Sequence, residues 1–198
     1  MGLDTVELVV SFEKHFNLIV PDRVAERIST VGEMAAWLGQ QLGTAGRRES
    51  AARNAVAMQL RELFTLPATL AAAEVQATPL SQLLPDRATL QQAAAQLPVR
   101  AGLLLPVLPQ NAASLPGGWL ARLFGSDQLP TRPSLGNSTL GELIDWTVAL
   151  NYEKLLLPPY SNQYDVEQAV IGITCDKSGV KVAEVRLSSS FTNDLGMD

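Results

Sequence analysis

The chain has 198 residues, of which 46% are hydrophobic and 18% charged, with a net charge of −5 and a pI of about 4.9. This length allows a substantial core, and the composition excludes a wholly disordered or fibrous protein. The lone cysteine, Cys175, excludes an internal disulfide framework, and the lone histidine, His15, excludes a site built on two imidazoles. The acidic balance argues against nucleic acid as a partner.

The N-terminus has none of the features of a secretory signal. Asp4 and Glu7 occupy positions where such a signal needs basic and then apolar residues. The longest apolar run, residues 99–108, is interrupted by Arg100 and Pro106 and is too short to cross a bilayer. We therefore expect a cytoplasmic protein without a membrane span.

Charge divides the chain into three segments. Residues 1–44 contain three basic and six acidic residues, and residues 137–198 contain four basic and nine acidic residues. Between them, residues 45–136 contain eight arginines against five acidic residues and most of the prolines. Two acidic ends thus flank a basic middle that proline interrupts repeatedly.

Apolar residues recur at helical spacing along most of the chain, and no long alternating pattern predicts a strand. Asp22 is predicted to cap a short helix, and Thr30 a longer one with Glu33 as its capping-box partner. The class predicted is therefore all-α. The predicted helices span residues 3–16, 22–28, 31–38, 49–64, 80–84, 89–97, 119–124, 139–150 and 165–174.

One stretch of sequence occurs twice. Residues 29–37 read Ser-Thr-Val-Gly-Glu-Met-Ala-Ala-Trp, and residues 138–146 read Ser-Thr-Leu-Gly-Glu-Leu-Ile-Asp-Trp, so five of nine positions are identical. Two helices with the same capping box and tryptophan anchor account for this echo, and a duplicated helical unit is the alternative.

The first segment contains a further recognisable pattern. Residues 3–9 read Leu-Asp-Thr-Val-Glu-Leu-Val, and Phe12-Glu13, Phe16 and residues 20–22, 25–28 and 30–32 continue the pattern. These residues resemble the sequence that follows the modified serine in the acyl carrier protein family. In all, about 40 residues resemble the second, third and fourth helices of a carrier domain.

The end of the chain resembles the missing first part of the same domain. Residues 166–185 are similar to the first helix and following loop, and Phe191 to Asp198 is close to the family's phenylalanine–x–x–aspartate–leucine–glycine–x–aspartate signature. The resemblance thus implies a circularly permuted carrier body, a four-helix bundle made of residues 1–44 and 165–198. Residues 45–164 would form a helical, proline-rich insert, which is tolerable where old termini lie close together.

The resemblance also implies functional positions. Gly2, flanked by Asp198 and Leu3, takes the place of the family's modified serine, and glycine has no hydroxyl to which 4'-phosphopantetheine could be attached. We therefore expect no cofactor. The acidic helix face of Asp4, Glu7 and Glu13 is the one that docks on basic patches of partner enzymes such as a synthase or transferase.

The remaining chemistry-bearing residues favour no active site. His15 is predicted to be a surface or packing residue, and the carboxylate beside Cys175 disfavours a thiolate. Asp4, Asp194 and Asp198 would meet at the opened turn, either as an ordinary acidic turn or as a site for a divalent cation. The arginines around residues 47–61 are predicted to form a solvated helix face or to dock on the acidic body.

The sequence as a whole predicts a protein that is not an enzyme: a carrier-like binding or scaffold protein in fatty-acid, polyketide or peptide synthesis, without covalent phosphopantetheine. A genuine carrier modified on another serine is the first alternative. The second is a structural protein that assembles head to tail, the C-terminal piece of one chain completing the N-terminal half of the next. An enzyme acting on acyl thioesters is the last.

Overall fold

The computed structural model describes residues 3–44, 46, 49–67, 71–84, 87–107 and 137–197. Within those residues the protein is helical, and the extended pairings are isolated bridges, so the predicted all-α class is confirmed. None of the helices in those residues is long and apolar enough to cross a membrane. The helices are α1 (Leu3–Phe16), α2 (Asp22–Ala25), α3 (Val31–Gln41), α4 (Ala51–Leu63), α5 (Ala72–Ala77), α6 (Leu80–Leu83), α7 (Arg87–Ala101), α8 (Leu140–Leu150), α9 (Tyr152–Leu155) and α10 (Gln163–Ser178).

Helix α10 is the centre of the fold. It begins at Asn162, whose side chain accepts a hydrogen bond from the Asp165 backbone N–H, and it ends at Gly179, which is left-handed at φ 70°. It packs against α1 and α3 on one side and against α8 and α9 on another. Residues 166–174 are therefore buried all round, as expected for a helix enclosed by neighbours.

Each copy of the repeated stretch, residues 29–37 and residues 138–146, begins a helix with the predicted capping box. The Thr30 hydroxyl accepts from the Glu33 N–H at the start of α3, and the Thr139 hydroxyl accepts from the Glu142 N–H at the start of α8. Each glutamate carboxylate in turn accepts a hydrogen bond from the backbone N–H of its threonine. The echo thus specifies two 11-residue helices, and both pack on α10.

The segment after α10 returns to the start of α3. The Val31 N–H donates to the Ser189 carbonyl at 3.0 Å, and the Phe191 N–H donates to the Ser29 carbonyl at 3.0 Å. Burial of Phe191, Leu195 and Met197 fixes this non-helical segment to the core. The two ends of the chain therefore share one hydrophobic core.

Several helix boundaries differ from the sequence prediction, since α2 ends at Ala25 and not at residue 28 and α3 continues to Gln41, and helices α5 and α9 were not predicted. Asp22 is the first residue of α2 and not its cap, since Pro21 occupies that position without a side-chain bond. Helix α7 continues past Pro98 to Ala101. Helix α10 is longer than the predicted residues 165–174 at both ends, because Asn162 caps its start and the left-handed Gly179 ends it. The predicted helix 119–124 lies outside the described residues.

Candidate functional site

The predicted docking face lies along α1, but its three carboxylates have different surroundings. Asp4 and Glu7 are exposed. Glu7 Oε1 accepts a hydrogen bond from Lys177 Nζ of α10 at 2.7 Å. The half-buried Glu13 accepts from the Val20 N–H at 2.8 Å and so fixes the turn after the helix. Asp4 and Glu7 are therefore the carboxylates that the helix presents outward.

The predicted attachment turn is described only in part. Gly2 and Asp198 lie outside the described residues, and Leu3 is described only as the first residue of α1. Asp194, which was predicted to meet Asp4 and Asp198, accepts a hydrogen bond from the Ser190 N–H at 2.8 Å. Its carboxylate therefore organises the turn that precedes Leu195.

A cleft that the sequence did not predict lies where α1, α9 and the end of α10 meet. It has a volume of about 410 Å³. The Tyr152 hydroxyl donates to Asp176 at 2.7 Å. Apolar walls and four charged side chains surround the space: its lining is Ser11, Lys14, His15, Tyr152, Glu153, Leu157, Pro158, Ile173, Asp176 and Lys177.

His15 connects this cleft to the core. Its Nε2 lies 2.5 Å from the Tyr160 hydroxyl, and that hydroxyl donates to the Leu156 carbonyl at 2.6 Å. Burial lowers the pKa of His15 and raises the pKa of Tyr160. A neutral imidazole in this position can accept a proton or a hydrogen bond.

Charged groups in the middle segment pair within the chain. Arg53 Nε donates to Asp145 of α8 at 2.8 Å, and the Tyr164 hydroxyl donates to the same carboxylate oxygen at 2.7 Å. Arg61 donates to the Pro67 carbonyl. Arg47 and Arg48 lie outside the described residues. Among the described arginines, Arg53 thus joins α4 to α8 and not to the acidic face of α1.

Cys175 is a poor nucleophile by geometry and charge. Burial and the carboxylate of Asp176 raise the pKa of its thiol to about 12. The thiol lies against the hydrophobic core. The residue therefore packs as a small apolar side chain.

A weak signal for the cleft was present in the sequence. Tyr152, Tyr160 and Tyr164 are the three tyrosines of the chain and fall within thirteen residues. Their polar tips usually need partners when the rings are buried. The clustering indicated a polar network, but the partner His15 lies 145 residues away from Tyr160 and can be found only from the fold.

The helical bundle is consistent with a carrier-protein class, and comparison with known proteins supports that relation for part of the chain. Over 42 residues the chain is 51% identical to an acyl carrier protein of Picosynechococcus sp. and 46% identical to one of Phenylobacterium zucineum. Each match covers 21% of this chain and about half of the relative, 52% and 53% respectively. No family model and no solved structure matches the chain. The chain therefore contains an acyl-carrier-protein-like region.

Proposed function

We propose that this protein is a non-catalytic, carrier-like binding or scaffold protein whose two ends form one permuted carrier body. In this proposal the body binds partner enzymes of fatty-acid, polyketide or peptide synthesis in the cytoplasm through α1 and holds no covalent phosphopantetheine. The observation that carries it is the core that the ends share, together with the identity to acyl carrier proteins over 42 residues.

Packing of the two ends supports the permuted body. Helix α10 lies against both α1 and α3, and the backbone pairing of residues 189 and 191 with residues 31 and 29 closes the bundle. The resemblance assigns α10 to the first carrier helix and α1, α2 and α3 to the second, third and fourth. That assignment would give the body the helix order of a carrier domain in space, although not along the chain.

Charge on α1 supports a docking role. Asp4 and Glu7 are exposed beside the exposed apolar side chains of Val6 and Val10. Exposed carboxylates steer basic partners, and neighbouring apolar groups add contact area. Lys177 pairs with Glu7 in the free protein, and a basic side chain of the partner would replace it.

The chemistry at position 2 supports the absence of the prosthetic group. Phosphopantetheine is transferred to a hydroxyl, and Gly2 has none. The experiment is intact-mass analysis after incubation with coenzyme A and a broad-specificity phosphopantetheinyl transferase. We expect no mass increase for the natural chain and an increase for Gly2→Ser.

Charge reversal tests the docking face in the same assay. On the Gly2→Ser background, Asp4→Lys and Glu7→Lys should slow modification, while Glu184→Lys, an exposed residue of the segment after α10, should not. Modification of the natural chain would overturn the proposal. Failure of Gly2→Ser to react would overturn the permuted carrier body.

Two alternatives have specific support. The identity to acyl carrier proteins favours a genuine carrier modified on another serine, which peptide mapping of a modified natural chain would reveal. Packing of α10 on both halves favours head-to-tail assembly, since α10 of one copy could complete the next. Light scattering would show a mass that rises with concentration for the second alternative and a constant mass for a closed monomer. Turnover of acyl thioesters would instead indicate an enzyme.

A further inference from the structure

The chain contains the same helical arrangement twice. We call α1, α2, α3, α10 and residues 179–197 the terminal unit, and α4, α5, α6, α7 and α8 the central unit. Helix α10 packs on α3 and α1 in the terminal unit, and α4 packs on α8 and α7 in the central unit. The central unit has its helices in direct order along the chain, whereas the terminal unit is divided between the two chain ends.

Backbone contacts repeat in detail between the units. A bridge joins Thr30 to Ser190 in the terminal unit, and another joins Thr139 to Pro79 in the central unit. A Cβ on Gly32 would lie 2.7 Å from the carbonyl oxygen of residue 187, three residues before the first bridge. A Cβ on Gly141 would lie 3.0 Å from the carbonyl oxygen of residue 76, three residues before the second. The bridge and the close contact to glycine are thus separated by three residues in both units, so α3 and α8 pack against the segments bridged to them in the same way.

Buried positions set the register between α1 and α7. Leu8, Phe12 and Phe16 face the core at four-residue spacing in α1, and Ala93, Leu97 and the partly buried Ala101 do so in α7. Counting from these positions, Gln96 of α7 corresponds to Ser11 and Arg100 corresponds to His15.

The left-handed residues that follow α4 and α10 set the register between those two helices. Thr65 has φ 54° and Gly179 has φ 70°. Counting back from them, Glu62 corresponds to Asp176 and Met58 corresponds to Gly172.

With these correspondences, a second cleft lies in the central unit at the position that the first cleft has in the terminal unit. It has a volume of about 280 Å³ and lies between the end of α4 and α7, where Glu62, Gln96 and Arg100 are among its lining residues. In the terminal unit, the segment 152–158 forms one wall of the cleft, and the Tyr152 ring covers Gly172. In the central unit, Met58 stands at the corresponding position with 63% of its surface exposed.

We propose that this second cleft, between α4 and α7, is a docking site for a short helical turn of a partner protein that presents an aromatic residue followed by an acidic one. The segment Tyr152-Glu153, docked in the first cleft, has that chemistry. Glu153 there acts electrostatically on His15. In the second cleft, Arg100 occupies the position that His15 occupies in the first. Its permanent positive charge complements an acidic residue on the docked turn. Met58 does not line the cleft itself, but it lies four residues before Glu62 on the same face of α4 and would offer the aromatic ring an adaptable apolar surface at the edge of the cleft.

The test uses the full chain and a fluorescent peptide that reproduces residues 151–159, followed by fluorescence anisotropy. Saturable binding is expected, and a peptide in which lysine replaces the glutamate should bind about fivefold more weakly, the range of an exposed ion pair. Arg100→Glu should weaken the natural peptide and restore the lysine peptide. Arg27→Glu, an exposed arginine on another face, is the matched control and should change neither.

A second variant separates this cleft from the first. Gln92 is exposed and lines only the second cleft, so Gln92→Trp should block peptide binding without unfolding the protein. Undiminished binding to Gln92→Trp would mean that the peptide displaces segment 152–158 from the first cleft, and would overturn the proposal. Absence of saturable binding would overturn it as well. Self-association of the chain that Arg100→Glu abolishes would identify a second copy as the occupant and refute the partner protein. None of these outcomes depends on the reaction at position 2.

Discussion

Replacement of Gly172 by alanine tests a close approach between α10 and the end of α8. A Cβ on residue 172 would lie 2.4 Å from the Ala149 carbonyl oxygen and 2.4 Å from Tyr152 Cδ1. Both distances fall well below van der Waals contact, and the first involves backbone that cannot rotate away. The methyl group therefore has to separate α10 from α8 or displace the tyrosine ring.

Three effects determine the magnitude. Alanine in a helix interior is favoured over glycine by about 1 kcal/mol. Overpacking a well-packed site costs about 1–3 kcal/mol. Displacement of the ring also weakens the bond from the Tyr152 hydroxyl to Asp176, which adds about 1 kcal/mol. We expect the free energy of unfolding to fall by about 2 kcal/mol in total.

Urea unfolding followed by circular dichroism measures this loss. With a slope of about 2 kcal/mol per M, the midpoint should fall by roughly 1 M while the slope stays constant. Tyr152→Ala removes one of the two clashing groups, so Gly172→Ala should cost less on that background. If Gly172→Ala were neutral or stabilised the protein, α10 and α8 could not approach as closely as described, and the reasoning would be refuted.

Three further predictions concern titration, reactivity and pairing. Because folding lowers the pKa of His15 below its ordinary 6.5, the native state binds fewer protons than the unfolded state. Its contribution to stability is therefore full above pH 6.5 and is lost as the pH falls below that value. Urea unfolding should show that the free energy of unfolding decreases less between pH 7.5 and pH 5 for His15→Gln than for the natural protein. With its pKa raised to about 12, Cys175 should react with iodoacetamide at pH 8 about 10³-fold more slowly in the native protein than in urea, and equal rates would contradict its burial. A double-mutant cycle of Arg53→Met and Asp145→Asn should give a coupling of about 1 kcal/mol, since both side chains are partly exposed; additive losses would mean that the 2.8 Å pair contributes nothing.

Local signals in the sequence were sufficient for most helices. The two threonine–glutamate capping boxes specify the starts of α3 and α8 through contacts that span three residues, and both are present in the structure. The same holds for α1, which spans the predicted residues Leu3–Phe16. A capping box lies within one turn of helix, so the start of such a helix can be recognised from a single sequence.

Neither cleft could be predicted in this way. His15 meets Tyr160 across 145 residues of chain, and Glu7 meets Lys177 across 170. Contacts of such separation depend on how α10 packs against α1 and α3 on one side and against α8 and α9 on another. The sequence of α10 gave no indication of this packing, because Glu167 and Gln168 are typical of an exposed face but are buried together with the apolar residues around them.

The repeated sequence of residues 29–37 and 138–146 acquires its meaning from long-range geometry. A capping box and a tryptophan recur wherever two helices begin alike, so the sequence allowed two equivalent explanations. A backbone carbonyl close to the glycine of each repeat, three residues before a bridge in both units, is not required by helix capping. Gly32→Ala and Gly141→Ala should therefore both destabilise the protein, the first more than the second because its contact, 2.7 Å against 3.0 Å, is shorter. Tolerance of alanine at both positions would leave only the capping boxes in common and would remove the structural basis for relating the two clefts.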